Sequence, residues 1–189
     1  MQVILASASP RRQELLHFLF DSFTILPANI DEAAIATEAD GGATASILAA
    51  AKADAIAAQY PDALVIGCDT VVEAEGMLLG KPQDKEDARR MLHLLSKGPH
   101  RVITGVSLRL GKEKADFSEV TAITFRPLSE DEIEAYISTP EPYDKAGGYG
   151  IQEGATRFVS RMEGDFFNVV GLPVSKLYQT LLERFPQAL

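Results

Sequence analysis

A mixed α/β fold follows from three features of this sequence. It opens as strand, loop and helix; apolar runs alternate with helix-like segments; and two hairpin signals, Glu75-Gly76 and Gly111-Lys112, interrupt the strands. Hairpins demand antiparallel neighbours, so the sheet is expected to be mixed.

Val3 to Ala6 reads as the first strand. Ser7, Ala8 and Ser9 end it, and Pro10 follows. Ser9 is placed to cap a helix that begins at Pro10, where a missing N–H costs nothing. Leu15, Leu16, Phe18 and Leu19 recur at helical spacing, and Phe23 to Leu26 returns as a second strand. Residues 27 to 42 read as a loop with the acids Asp31, Glu32, Glu38 and Asp40 and two glycines. Thr44 to Gln59 is an alanine-rich helix with a narrow apolar face of Ile47, Leu48, Ala51, Ala55 and Ile56. Pro61 and Asp62 stop it.

Leu64 to Gly67 reads as a buried strand with Cys68, Asp69 and Thr70 at its end, before Val71 and Val72. Met77 to Leu79 returns from the first hairpin, and Gly80-Lys81-Pro82 leaves it. Lys85 to Ser96 forms a helix with Ala88, Met91, Leu92 and Leu95 on one side. Arg101 to Leu110 and Phe117 to Phe125 are the paired strands around Gly111-Lys112. Ser129 caps a helix to Ile137, with Glu132 at capping-box spacing. Pro140 to Gln152 is an ordered, irregular loop, Phe158 to Glu163 a strand, and Phe166 to Gly171 leads through Pro173 to a last helix ending near Phe185.

A length of 189 residues and an apolar content of 46% suit one domain spanning 1–189 with a real core. A net charge of −9 repels nucleic-acid backbones and anionic bilayers, so neither a nucleic-acid polymer nor a membrane is expected as partner. Small phosphate ligands are not excluded, because a few basic groups reverse the potential locally. Cys68 is the lone cysteine, which rules out an internal disulfide framework and fits a cytoplasmic location. The opening segment does not have the pattern of a secretory signal, and no apolar run approaches the roughly 20 residues of a spanning helix.

Several residues could carry chemistry. Ser7, Ser9, Arg11 and Arg12 lie where a strand meets a helix N-terminus, a setting suited to phosphate; equally, Ser9 caps the helix and the arginines face water. Asp69, at a strand end, suits a divalent metal and an attacking water, or else closes an Asx turn. Lys52 either solubilises its helix or reaches past small neighbours to a phosphate. Lys81, between Gly80 and Pro82, is the more constrained phosphate ligand. Glu32 could add a second carboxylate to a metal, or stay a loop acid. The sequence lacks a phosphate-binding P-loop and any zinc pattern. Thr70 and Gln152 have the donors and acceptors to read a nucleobase edge. Tyr149, Phe166 and Phe167 form either an aromatic wall or part of the core.

These motifs resemble the Maf-type nucleoside triphosphate pyrophosphatases, in the branch acting on dTTP and UTP. The markers are Ala6 through Arg12, Leu48 through Ala53, Asp69-Thr70, Gly80-Lys81-Pro82, His100, Thr104-Gly105-Val106, Asp144 to Gln152, and Glu163-Gly164 through Asn168 to Pro173. The resemblance implies the fold of inosine triphosphate pyrophosphatases, a long mixed central sheet with flanking helices and a cleft between two lobes. It also implies hydrolysis to monophosphate and pyrophosphate. By it, Asp69 is catalytic and binds Mg²⁺ or Mn²⁺ with Glu32, while Arg12, Thr70 and Gln152 tune base choice. Ser7, Ser9, Arg11, Lys52 and Lys81 surround the phosphates. The implied assembly is a homodimer and the partner a small-molecule nucleoside triphosphate. Glu153 departs from the family, where glycine is usual, as do Ala50 and Ala51 before Lys52. A nucleotide-binding regulator of cell division, without turnover, is the alternative reading.

Overall fold

The computed structural model describes residues 1–35 and 40–189; Glu38, counted above among the loop acids, lies outside the described residues. Among those described, seven strands form one sheet: β1 (Val3–Leu5), β2 (Thr24–Ile25), β3 (Leu64–Ala74), β4 (Met77–Leu79), β5 (His100–Leu110), β6 (Glu113–Phe125) and β7 (Val159–Glu163). The order is β2-β1-β3-β5-β6-β7, with β4 also on β3. β2, β1 and β3 are parallel and the remaining pairs antiparallel, as the two hairpins require. The helices are α1 (Pro10–Leu16), α2 (Gly41–Ala57), α3 (Lys85–Leu95), α4 (Glu130–Ile137), α5 (Phe166–Val170) and α6 (Val174–Arg184).

β3 organises the molecule. The expectation that Asp69 ends a strand is corrected: β3 continues to Ala74 because β5 pairs with it without interruption from Val65 to Glu73. On its other edge the pairing is broken. β1 covers only Leu64 to Ile66, and β4 covers only Val72 to Ala74. Asp69 and Thr70 sit in the gap, where β3 has a neighbour on one side alone. A cleft opens there.

α2 lies across β3 and β5. An added Cβ at Gly67 would come within 2.8 Å of Ala53 N, and one at Gly105 within 2.6 Å of Ser46 N. Glycine in the strands and alanine in the helix therefore bring the two layers into close approach. The helix begins earlier than expected, at Gly41, because the Asp40 side chain accepts from Ala43 N. Its buried stripe is also shifted: Thr44, Ala45, Leu48, Ala49, Ala53 and Ile56, with Ala51, Ala55 and Ile47 only half-buried. Leu48 and Ile56 keep their expected place, while Ala45, Ala49 and Ala53, opposite the strand glycines, take the positions expected of Ile47, Ala51 and Ala55.

Ala53 and Ile56 pack on Ile4, Ala6 and Val65 on one side of the sheet. On the other side Leu15 and Leu16 of α1, with Leu177 and Leu181 of α6, cover Leu5, Leu64 and Ile66. A second core farther along joins Val72 and Ala74 to Met91 and Leu92 of α3 and Ile133 and Tyr136 of α4. Each of the Val, Leu, Ile and Met side chains among these contributes about 1.5–3 kcal/mol when fully buried. The cleft falls between these two cores. Among the described residues no helix is long and apolar enough to cross a membrane.

Candidate active site

Alternation along β3 sends Asp69 and Thr70 to opposite faces of the same open edge. Asp69 shares its face with its cross-strand partner Gly105, and so with α2. Thr70 shares the other face with its partner Thr104. Both residues line one cleft of about 560 Å³.

On the α2 face, Lys52 Nζ lies 2.5 Å from Asp69 Oδ1 and 2.8 Å from Glu32 Oε1. The lysine belongs to the covered side of its helix, with only 12% of its side chain exposed, which removes the solubilising reading. Asp69 Oδ2 has no hydrogen-bond partner among the described residues. Two carboxylates on one ammonium give two hard oxygen donors facing the cleft. No cluster of three or more His, Cys, Asp or Glu residues suited to a metal occurs among the described residues. Such a donor set fits a small divalent cation of the Mg²⁺ type, which takes one or two carboxylates and completes its shell with phosphate oxygens and water.

On the opposite face, Arg12 is held at three points. Nε donates to Gly171 O at 2.9 Å, Nη1 to Ser7 Oγ at 3.2 Å and Nη2 to Thr70 Oγ1 at 3.0 Å. Ser7 is buried and also accepts from Ser9 N, so it shapes the turn and does not line the cleft. Ser9 lines the cleft and caps α1 as well, so the capping reading holds. Behind Thr70, Thr104 and the fully buried Asn168 continue a polar network.

The far wall comes from the irregular loop, a run of short 3₁₀ turns over Glu141–Asp144 and Ala146–Gly148. Lys145, 8% exposed, lies 2.6 Å from Asp144 Oδ1 and 2.8 Å from Glu153 Oε2. Arg11 faces the same two acids at 3.9 and 3.8 Å. Burial opposes ionisation of Asp144, but Lys145 and Arg11 outweigh it and hold its pKa below the ordinary carboxylate value. Lys81 and Gln152 line the cleft too, and Gly147 N donates to Gly80 O, tying the Lys81 loop to this wall. Tyr149 also lines it, its hydroxyl 2.8 Å from His100 Nε2. The aromatic wall is otherwise not formed: Phe166 and Phe167 are exposed away from the cleft lining, and Phe167 instead packs on Phe18.

The structure therefore brings Arg11, Arg12, Glu32, Lys52, Asp69, Thr70, Lys81 and Gln152 to one cleft. Lys145 and Thr104 were not singled out for chemistry by composition or spacing. The available signals were a lysine inside a glycine-rich loop and a threonine in the otherwise apolar run of residues 102–106.

Fold and site together define an α/β protein with a cleft lined by both cations and carboxylates at a break in its sheet. The sequence profile described as Maf-like protein matches residues 2–184, and the chain belongs to that family. A dTTP/UTP pyrophosphatase of Alkaliphilus oremlandii is 50% identical over 188 residues, covering 97% of this chain and 96% of its own. One of Bacillus velezensis is 46% identical over 182 residues, with 96% of each chain covered. One of Pyrococcus furiosus is 47% identical over 173 residues, covering 92% and 90%. Among solved structures, the Staphylococcus aureus Ham1 protein superposes with a TM-score of 0.52 at 15% identity, covering 97% of this chain and 98% of its own. A HAM1 protein from Coxiella burnetii gives 0.52 at 14%, covering 97% and 99%. These two share the fold, and the expected mixed sheet with flanking helices is borne out.

Proposed function

We propose that this protein hydrolyses dTTP and UTP to the nucleoside monophosphate and pyrophosphate. The observation that carries the reading is the Lys52–Asp69–Glu32 cluster in the unpaired gap of β3, facing Lys81 and Arg11 across one cleft. The printed activity of relatives near half identity supports it.

In this mechanism Arg11, Lys52 and Lys81 bind phosphate oxygens, and Ser9 with the start of α1 adds donors. Asp69 and Glu32 would hold Mg²⁺ or Mn²⁺, which when bound neutralises charge on the polyphosphate. Lys52 keeps Oδ1 of Asp69 occupied, so Oδ2 takes the proton of the attacking water. The water oxygen bonds to the α-phosphorus, the bond from that phosphorus to the α–β bridging oxygen breaks, and pyrophosphate leaves. Cationic groups stabilise the charge that accumulates on the leaving oxygens. Arg12, Thr70 and Gln152 take the base. A cytoplasmic homodimer completes the reading; light scattering that returns a monomer mass would remove the dimer.

Purified protein assayed with Mg²⁺ or Mn²⁺ on dTTP, UTP, CTP, ATP and 7-methyl-GTP tests the reading. The expected result is pyrophosphate release, with dTTP and UTP ahead of the others by about tenfold or more. A preference for a purine triphosphate overturns the substrate class, and orthophosphate as first product overturns attack at the α-phosphorus.

A further inference from the structure

The direction of the hydrogen bonds behind Thr70 can be deduced. Three contacts run in series: Arg12 Nη2 to Thr70 Oγ1 at 3.0 Å, Thr70 Oγ1 to Thr104 Oγ1 at 2.9 Å, and Thr104 Oγ1 to the Asn168 carbonyl oxygen at 2.9 Å. A guanidinium only donates and a carbonyl only accepts, and each hydroxyl has one hydrogen. One assignment makes all three bonds. Thr104 donates to Asn168, Thr70 donates to Thr104, and Arg12 donates to Thr70.

The far end of this chain cannot turn. Asn168 is fully buried; its side-chain oxygen accepts from Thr104 N, and its amide donates to Val102 O and to Thr121 Oγ1. Thr104 is fully buried as well. The hydrogen of Thr70 is therefore committed inward, and one of its two lone pairs takes Arg12. What Thr70 offers the cleft is a single acceptor. Arg12, with five N–H groups and three of them occupied, offers donors beside it.

We propose that Thr104 is a positioning residue for base selection: by taking the Thr70 hydrogen, it makes Thr70 an obligate acceptor beside the donors of Arg12. That pairing complements an N–H next to a carbonyl, the imide edge of uracil and thymine. Cytosine presents a bare lone pair at the same ring nitrogen, which would face the Thr70 lone pair. This rests on the reading that the cleft takes pyrimidine triphosphates, and it adds how the pocket tells them apart.

The test is the ratio of kcat/KM for UTP to that for CTP in the wild type, Thr104→Val and Thr104→Ser. Valine removes the inward acceptor and frees the Thr70 hydroxyl to donate outward. The ratio should fall about tenfold, the size expected for one net hydrogen bond, with the rate on UTP falling less. Serine should restore the ratio to within about twofold of the wild type. Thr104→Val combined with Thr70→Val should add nothing to the ratio change of Thr70→Val alone, because both act through one hydroxyl. An unchanged ratio in folded Thr104→Val, or additive changes in the double variant, overturns the proposal. Should Thr104→Val fail to fold, wild-type turnover of N3-methyl-UTP decides: a rate near that on UTP overturns it, and a loss of about tenfold or more supports it. Failure of the wild type on both UTP and dTTP would instead strike the proposed function itself, before any ratio is read.

Discussion

The two faces of β3 at its open edge differ in kind. On the α2 face Asp69 meets Lys52 and, through it, Glu32, an arrangement of full charges. On the other face Thr70 meets Thr104, Asn168 and one guanidinium already bonded at three points. Apart from that guanidinium, burial favours the neutral form of the titratable groups behind Thr70. Burial pushes the Cys68 thiol up to about 11, and burial lowers His100 to about 4, partly opposed by the Leu95 carbonyl. Burial likewise raises the Tyr149 hydroxyl against which His100 rests. On the proposed reading the contrast divides the labour: charge stabilises a polyphosphate on one side, and direction of hydrogen bonding distinguishes bases on the other.

The largest effect expected is from Asp69→Asn, which keeps the shape and removes the proposed proton acceptor. Turnover should fall by about two orders of magnitude or more, while the UTP to CTP ratio stays put. Near-normal turnover of the folded variant would dissolve the charged face as the seat of chemistry.

The neutral face should show itself in stability against pH. His100 has a folded pKa near 4 against an ordinary value of 6.5, so between those limits the unfolded chain binds a proton that the folded one does not. Its contribution is complete above pH 6.5 and is lost as pH falls toward 4, at most on the order of 3 kcal/mol. Urea midpoints of the wild type should drop more steeply over that range than those of His100→Gln. Parallel slopes would mean that the ring is not kept neutral by this face.

Thr70→Val should lower the UTP to CTP ratio about tenfold and turnover of UTP by less, the reverse of the Asp69→Asn pattern. Equal losses on both substrates would erase the distinction between the faces. A smaller change is expected from Glu153→Gly, which releases Arg11 and Lys145 from one carboxylate. KM for dTTP should decrease about two- to threefold with kcat nearly constant, because the Arg11–Glu153 contact is long and partly exposed. An increased KM would show that Glu153 orders the wall more than it occupies its cations.

Local signals were legible wherever a few adjacent residues decide the outcome. Ser9-Pro10 capped α1, Ser129 and Glu132 formed the capping box, and Glu75-Gly76 turned β3 into β4. The length of β3 was not legible, because Cys68-Asp69-Thr70 looks like a strand end until β5 is seen pairing through it. The buried side of α2 was legible only in part for a related reason: Leu48 and Ile56 are buried as expected, Ile47, Ala51 and Ala55 only half so. The rest of the stripe, Ala45, Ala49 and Ala53, follows Gly67 and Gly105 of two strands distant in sequence.

The residue types of the cleft, and the markers of its family, were written in the chain, since the chemistry of a side chain needs no neighbour to define it. Which carboxylate Lys52 would meet, that Lys145 would join the far wall, and which way Thr70 would point its hydrogen were settled by folding alone. Each depends on groups far apart in sequence reaching hydrogen-bond distance, and only the break in pairing along β3 makes room for that.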